Sequence, residues 1–386
     1  MKTIAVITAT RAEYGLLAPV IRRLRAQESE EFRTEVVVTG THLNEKYGNT
    51  VCEIEQDGIR IDEKVPISVE SESAEDISEN QSEALVKFTH LFVRKQYAAV
   101  ILLGDRYEML AIAIAAGNTH TPIFHLCGGD TTEGAMDEWI RHSITKMSYL
   151  HFVTNADSYR RVVQLGENPE RVFNYGSTSI DNIISQANMS KQEALRSIGR
   201  PDCSYVMCTY HPVTMENQSL EEKINDFLDV IRHHGELEFI VTKSNADQGG
   251  AYINRILDAA EDKIPNLHVY TSLGVTRYLS LVKHAEFVLG NSSSGIVEAP
   301  ALKVPTVNIG NRQRGRLQAD SIINCGERKA DIEKAVCRAM APEFRKQCRM
   351  TISPYGNGKA SEKIAGKILD VVLHDTINLK KKFYDL

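Results

Sequence analysis

The residues most ready for chemistry lie at Gly290–Ala301, which read G-N-S-S-S-G-I-V-E-A-P-A directly behind the apolar run Phe287-Val288-Leu289. The order is a strand, a tight turn of small hydroxyl and glycine residues, and then the start of a helix. Such a turn leaves backbone N–H groups pointing at one spot, where the helix dipole also favours negative charge. Ser292, Ser293 and Ser294 add short hydroxyl donors, and Gly295 lets a phosphate approach the backbone. Glu298, one turn into the helix, could accept hydrogen bonds from a ribose diol. Just downstream, Asn311–Arg316 gathers the guanidiniums of Arg312, Arg314 and Arg316, suited to bidentate phosphate contacts. Together they suggest a grip for a nucleoside diphosphate. Neither G-x-x-x-x-G-K-[ST] nor G-x-G-x-x-G is matched, so neither a P-loop NTPase nor an ordinary dinucleotide fold is indicated.

A turn of this kind needs a parallel sheet to hold it, and the rest of the chain supplies the pattern. Short β-branched runs alternate with amphipathic helical stretches from end to end. Strands are expected at Thr3–Thr8, Thr34–Thr39, Ile59–Val65, Ala98–Leu103, Pro122–Leu126, Leu150–Thr154 and Val172–Tyr175. A second series runs through Tyr205–Thr209, Phe239–Thr242, His268–Tyr270, Glu286–Leu289 and Thr306–Ile309. Leu16–Gln27 carries a helical apolar stripe, Glu70–Glu83 reads as a loop or a solvated helix start, and Ser177–Pro201 as a hinge. The fold class expected is α/β, two doubly wound Rossmann-like domains facing a cleft. Residues 1–176 form the first, 177–365 the second, and a C-terminal helix in 366–386 packs back on the first. Ligands in such sheets bind beyond the carboxyl ends of the strands. Seven polar motifs fall there, among them Thr10–Gly15, Gly104-Asp105-Arg106, Tyr210-His211-Pro212 and Gly290–Gly295.

Composition narrows the class. The 386 residues are 42% hydrophobic and 25% charged, with a net charge of −6, which offers no general pull toward nucleic acid or an anionic membrane. No stretch reaches the roughly 18 apolar residues of a membrane span. Seven cysteines without a C-x-x-C pair suit a reducing compartment, so a cytoplasmic protein is expected. No DxD triplet occurs and the histidines and cysteines lack metal-ligand spacing; neither a metal nor another cofactor is expected.

Six segments in order then carry a resemblance: T-R-A-E-Y-G at 10–15, G-D-R-Y-E at 104–108, I-R-H-S-I-T-K-M-S at 140–148, Y-H-P-V-T at 210–214, S-N-A-D at 244–247 and G-N-S-S-S-G-I-V-E at 290–298. The chain resembles, from about residue 3 to about 370, the hydrolysing UDP-N-acetylglucosamine 2-epimerases of sialic and legionaminic acid pathways. The resemblance implies the two-domain GT-B fold, with UDP held mainly by the C-terminal domain. It implies conversion of UDP-N-acetylglucosamine and water to N-acetylmannosamine and UDP, through a glycal. It also implies a homodimer or a tetramer.

That chemistry needs donors for the departing diphosphate and acid and base groups on both faces of C2. By resemblance Asp105 and Asp137 are catalytic carboxylates. Taken alone, each could equally cap or begin a helix. Arg11, Gly15, Arg106, Asn245, Ser292, Ser293, Gly295, Glu298 and Arg312 are assigned to the UDP-sugar, with a surface ion pair as the alternative for Arg11 and Arg106. His211, held extended by Pro212, is assigned to both lists as a phosphate or leaving-group contact. Arg141 can reach back to Asp137 by i,i+4 spacing. Glu138 reads as structural, and His142 as an orienting or a merely satisfied histidine.

One position departs from the family. Many relatives carry glutamate or histidine in the third position of the motif that here reads His125-Leu126-Cys127-Gly128-Gly129. Either Asp130 takes over as the acid, or Cys127 participates, or the sugar differs. The alternatives in substrate and class are UDP-2,4-diacetamido-2,4,6-trideoxyglucose in the same reaction, a non-hydrolysing epimerase, a GT-B glycosyltransferase, and a UDP-sugar-binding protein without turnover.

Overall fold

The computed structural model describes residues 1–45, 49–70, 73–131, 136–212, 220–244, 250–374 and 377–385. They divide into two compact units, Met1–Asn182 with Gly358–Leu386, and Ile183–Asn357.

The first unit is built on seven strands: β1 Lys2–Thr8, β2 Phe32–Thr39, β3 Glu63–Val65, β4 Ala99–Leu103, β5 Ile123–Leu126, β6 Leu150–Val153 and β7 Val172–Asn174. All pair in parallel, in the order β3-β2-β1-β4-β5-β6-β7. Parallel strands are covered on both faces, and the period-2 geometry of a strand sends alternate residues to opposite sides. In β1, Ile4 and Val6 join one buried cluster while Ala5 and Ile7 join the other. The first cluster is closed by the helices Arg11–Arg25 and Ala360–Leu373, the second by Ala74–Lys95 and Tyr107–Asn118.

The second unit repeats the plan with β8 Tyr205–Thr209, β9 Glu238–Thr242, β10 Leu267–Tyr270, β11 Val288–Gly290, β12 Thr306–Ile309 and β13 Ile322–Cys325. The order is β10-β9-β8-β11-β12-β13, again parallel throughout. Phe239 and Val241 face one core and Ile240 the other. Each sheet reverses its winding once, between β1 and β4 and between β8 and β11. Those switch points are where a doubly wound sheet opens a crevice for a ligand.

Some elements depart from the sequence expectation, and the acidic segment takes the second of its two readings, each for a local reason. The first helix starts at Arg11 rather than Leu16, because Thr10 and Glu13 close a capping box on its first turn. The acidic segment 70–83 is helix from Ala74, started by a second box between Ser73 and Asp76. β13 had no clear signature: Ile322–Cys325 buries only Ile323 fully, as suits an edge strand. No helix among the described residues is long and apolar enough to cross a membrane.

Candidate active site

The switch point of the first unit opens into a cavity of about 1080 Å³. From the end of β1 come Thr10, Arg11 and Glu13, and from the end of β4 come Gly104, Asp105 and Arg106. Asp105 does not cap the helix behind it; that helix begins at Tyr107 with no side-chain cap. Its carboxylate instead pairs with the Arg141 guanidinium, which is 4% exposed. Arg141 also donates to the Asp130 carbonyl at 2.7 Å and to Glu138 at 3.4 Å. The i,i+4 contact expected from Arg141 to Asp137 is absent among the described residues. The buried guanidinium is drawn instead to the strand-end carboxylate, where desolvation strengthens the pairing.

Asp137 is half-buried on the cavity wall and accepts no hydrogen bond from a described residue. Glu138 is occupied by Arg141 and by the His142 ring at 3.3 Å. Asp130 is fixed by Thr154 at 2.8 Å and by the Ser158 hydroxyl, all on Oδ1, with Asn155 at 3.5 Å. Asp130 also lines the cavity. Cys127 lines the same cavity with a left-handed backbone, φ +64°. Burial, then the charges of Asp130 and Asp105, push its thiol up, so it stays protonated. His125 behind it is fully buried, donates from Nε2 to the Gly104 carbonyl at 3.0 Å, and is brought down to about 3 by burial.

Arg11 points out, with 73% of its side chain exposed, and rests on Glu53 at 3.0 Å. Arg106 is anchored through Nε to Glu108 at 2.6 Å. Both cations therefore line the cavity while engaged in ion pairs, Arg11 in the surface pair offered as its alternative and Arg106 with a buried acid instead. Gly15 has open space where a Cβ would stand, and its carbonyl is held by the Asn182 amide. One site group escaped sequence reasoning, the buried carboxyl of Glu13. T-x-x-E announces the capping box, but nothing local announces that the Glu13 carboxyl is buried against the cavity.

The second unit brings its motifs together at the β8/β11 switch point. The Asn291 side chain accepts from the His211 backbone N–H at 2.7 Å and donates to the His211 carbonyl at 2.8 Å. Arg312 and Gln313 donate to the Asn291 carbonyl at 3.2 and 2.9 Å. His211 is 6% exposed, with Nδ1 at 3.1 Å from the Ser244 hydroxyl. Gly290 (φ +144°) has no room for a side chain against the Thr209 carbonyl, and a Cβ on Gly295 would stand 2.8 Å from Thr306 Cγ2. Helix Ser294–Ala301 starts without a side-chain cap, and the backbone N–H groups of Ser292 and Ser293 meet no acceptor among the described residues. Ser294 is turned inward to Tyr278 at 2.6 Å. Glu298 keeps one buried oxygen without a partner, and burial raises its carboxyl above the ordinary range. Asn245 lies outside the described residues, as do 213–214 of the Y-H-P-V-T motif.

Two Rossmann-like units of the GT-B type, each with polar motifs at its switch point, define the class. The chain matches the model of the UDP-N-acetylglucosamine 2-epimerase family over residues 24–369, and it belongs to that family. It is 36% identical to polysialic acid biosynthesis protein P7 of Escherichia coli, covering 100% of this chain and 98% of that one. It is 37% identical to the GDP/UDP-N,N'-diacetylbacillosamine 2-epimerase (hydrolyzing) of Campylobacter jejuni, covering 100% and 99%. The fold is similar to the crystal structure of UDP-GlcNAc 2-epimerase from Neisseria meningitidis bound to UDP-GlcNAc, with a TM-score of 0.80 at 19% identity over 96% of this chain and 100% of that one.

Proposed function

We propose that the protein is a hydrolysing epimerase, converting UDP-N-acetylglucosamine and water to N-acetylmannosamine and UDP. The C2 proton passes to a carboxylate as the C1–O bond breaks and its electron pair leaves with UDP, giving the 2-acetamidoglucal. Water then adds its hydroxyl to C1, its proton passing to a carboxylate, while a carboxylic acid returns a proton to the opposite face of C2. The observation that carries this reading is the gathering of Asp105, Asp130 and Asp137 around one cavity, with the buried Arg141 bonded to the Asp105 carboxylate and the Asp130 carbonyl. Asp105, paired to Arg141, is assigned as the base, and Asp130 and Asp137 are the groups for the other face. In the second unit, the open N–H groups of Ser292 and Ser293, with Gly295, His211 and Arg312, suit the charge that develops on the departing diphosphate. Glu298 suits the ribose diol. Arg11, Gly15 and Arg106 complete the UDP-sugar contacts, no metal or other cofactor enters a step, and the functional form is a cytoplasmic homodimer or tetramer.

A second reading keeps the reaction and changes the sugar to UDP-2,4-diacetamido-2,4,6-trideoxyglucose. The name of the Campylobacter jejuni relative supports it. Incubation of the purified protein with each UDP-sugar in heavy water, followed by proton NMR, tests both. The expected result is free 2-epimeric sugar carrying deuterium at C2, with UDP, and loss of about 10²- to 10⁴-fold in turnover for Asp105→Asn. Release of an intact UDP-N-acetylmannosamine would overturn the hydrolytic step. Turnover of the diacetamido sugar alone would select the second reading.

A further inference from the structure

Among the described residues, one cluster of metal-ligating groups stands apart from both switch points. His233 ends the helix Leu220–His233, His234 follows it, and Glu333 lies on the helix Lys329–Met340. The Glu333 carboxylate divides itself between the two rings, with Oε1 at 2.8 Å from His233 Nδ1 and Oε2 at 2.9 Å from His234 Nε2. One ligand atom from each residue lies within 4.8 Å of the other two. The partners are 100 and 99 positions apart, so no spacing along the chain shows them.

The rings are held in place from behind. His234 Nδ1 stands 3.0 Å from Glu236 Oε1. A carboxylate on the second ring nitrogen fixes the tautomer and the aim of a metal-binding histidine. The buried Asn266 amide stands 3.0 Å from each of the Ile231, His234 and Leu237 carbonyls and so pins the turn that carries both rings. With Nδ1–H donated to Glu236, Nε2 turns a lone pair toward Glu333 Oε2. Two such acceptors stay 2.9 Å apart only with a positive charge between them. A proton supplies it for His234 alone. A divalent ion supplies it for both rings and the carboxylate together, and its two charges balance those of Glu333 and Glu236.

We propose that His233 Nδ1, His234 Nε2 and the Glu333 carboxylate bind a divalent transition cation of the Zn²⁺ kind, with Glu236 as a positioning residue. Two imidazoles and one carboxylate suit Zn²⁺, whereas Mg²⁺ and Ca²⁺ ask for oxygen throughout. Ligands about 2.0–2.2 Å from a Zn²⁺ ion stand roughly 3–3.5 Å from one another, so the observed separations need only a slight opening. The His233 side chain, 67% exposed, allows that movement and leaves the outer position of the ion to water. A crossover between parallel strands returns the chain to the amino end of the next strand, and Glu236 stands two residues before β9. The ion therefore sits on the rim opposite the β8/β11 crevice. It ties one helix to the other and takes no part in the chemistry of the sugar, so the proposal does not depend on the UDP-sugar reading.

Calorimetric titration of the chelator-treated full-length protein with Zn²⁺ at about pH 7.5 tests it. The expected result is one saturable site with Kd of about 10 μM or tighter, and no binding of Mg²⁺ over the same range. His233→Ala and Glu333→Gln should each weaken the site by about 100-fold or more, and Glu236→Ala by about 10-fold. His233 and Glu236 have side chains 67% and 59% exposed, so neither change threatens the fold. Zn²⁺ should also raise the urea midpoint of the wild type and leave that of His233→Ala unmoved. No saturable Zn²⁺ site, or equal affinity for Mg²⁺, overturns the proposal. So does a site that persists in both His233→Ala and Glu333→Gln, because the ion is then held elsewhere. Unchanged affinity in Glu236→Ala overturns the positioning role alone.

Discussion

Glu13 and Glu167 are both buried carboxyls of the first unit, 5% and 1% exposed, and they end in opposite states. Glu13 has only backbone N–H groups on one oxygen and an acid and Arg106 for neighbours, so burial raises it to about 8. Burial acts to raise Glu167 as well, but three donors outweigh it: His151 at 3.0 Å, Lys381 at 2.6 Å and Lys146 at 2.9 Å, which bring it to about 2. Burial sets the cost of a charge, and the partners decide whether it is borne. The cavity is arranged to keep a proton. The clasp at Glu167 is arranged to keep a charge, and with it the C-terminal segment through Lys381.

The strongest way to break this contrast is to remove the charge from the clasp. Glu167→Gln leaves Lys146, Lys381 and His151 facing one another without a counter-ion, and should cost about 3–5 kcal/mol in urea unfolding of the whole chain. A loss under about 1 kcal/mol would show that the clasp is a solvated surface pairing instead. Lys381→Met should cost less, about 1.5–3 kcal/mol, because Lys146 and His151 remain on Glu167. What goes with Lys381 is its bond to the acid and those to the Lys146 and Ser148 carbonyls.

Titration sharpens the same contrast, with slopes of at most about 1.4 kcal/mol per pH unit for each proton. Glu167 is depressed on folding, so its contribution is complete above about 4.5 and is lost as pH falls toward 2. Glu13 is raised, so its contribution is complete below about 4.5 and is lost as pH rises toward 8. Urea unfolding across the pH range should show the acid limb flattened by Glu167→Gln and the alkaline limb flattened by Glu13→Gln. Interchanged limbs would refute both assignments.

Much of this architecture was legible before any coordinates. The strands could be read because both faces of each central strand are buried, as in β1 and β4, which gives runs without polar interruption. The site motifs could be read because the loops after parallel strands are where polar and glycine residues have reason to gather. The pairings within the site could not. Asp105 meets Arg141 across 36 positions, whereas helical spacing pointed to Asp137. Thr10 and Gly104 line one cavity from beyond the ends of β1 and β4, which are adjacent only because the sheet reverses there. β13 was missed because an edge strand buries too little to leave a pattern.

The smallest expected effect falls on the residue that most invited a catalytic role. Cys127 stands where many relatives carry an acid or a histidine, yet its thiol is pushed up by the same burial that protonates Glu13, with Asp130 and Asp105 adding to it. A thiol in that state is neither a nucleophile nor a ready acid toward carbon. Among the described residues lining the cavity, Asp105, Asp130 and Asp137 are then the acids that the proposed reaction uses. Cys127→Ser, which preserves size and the left-handed backbone demand at φ +64°, should change turnover by no more than about twofold, the factor that 0.5 kcal/mol represents. Alkylation at mild alkaline pH, read by peptide mass spectrometry, should label the exposed Cys52 and Cys337 and spare Cys127. Rapid labelling of Cys127, or a loss of turnover in Cys127→Ser as large as that expected for Asp105→Asn, would move the thiol into the proton chemistry and end its likeness to Glu13.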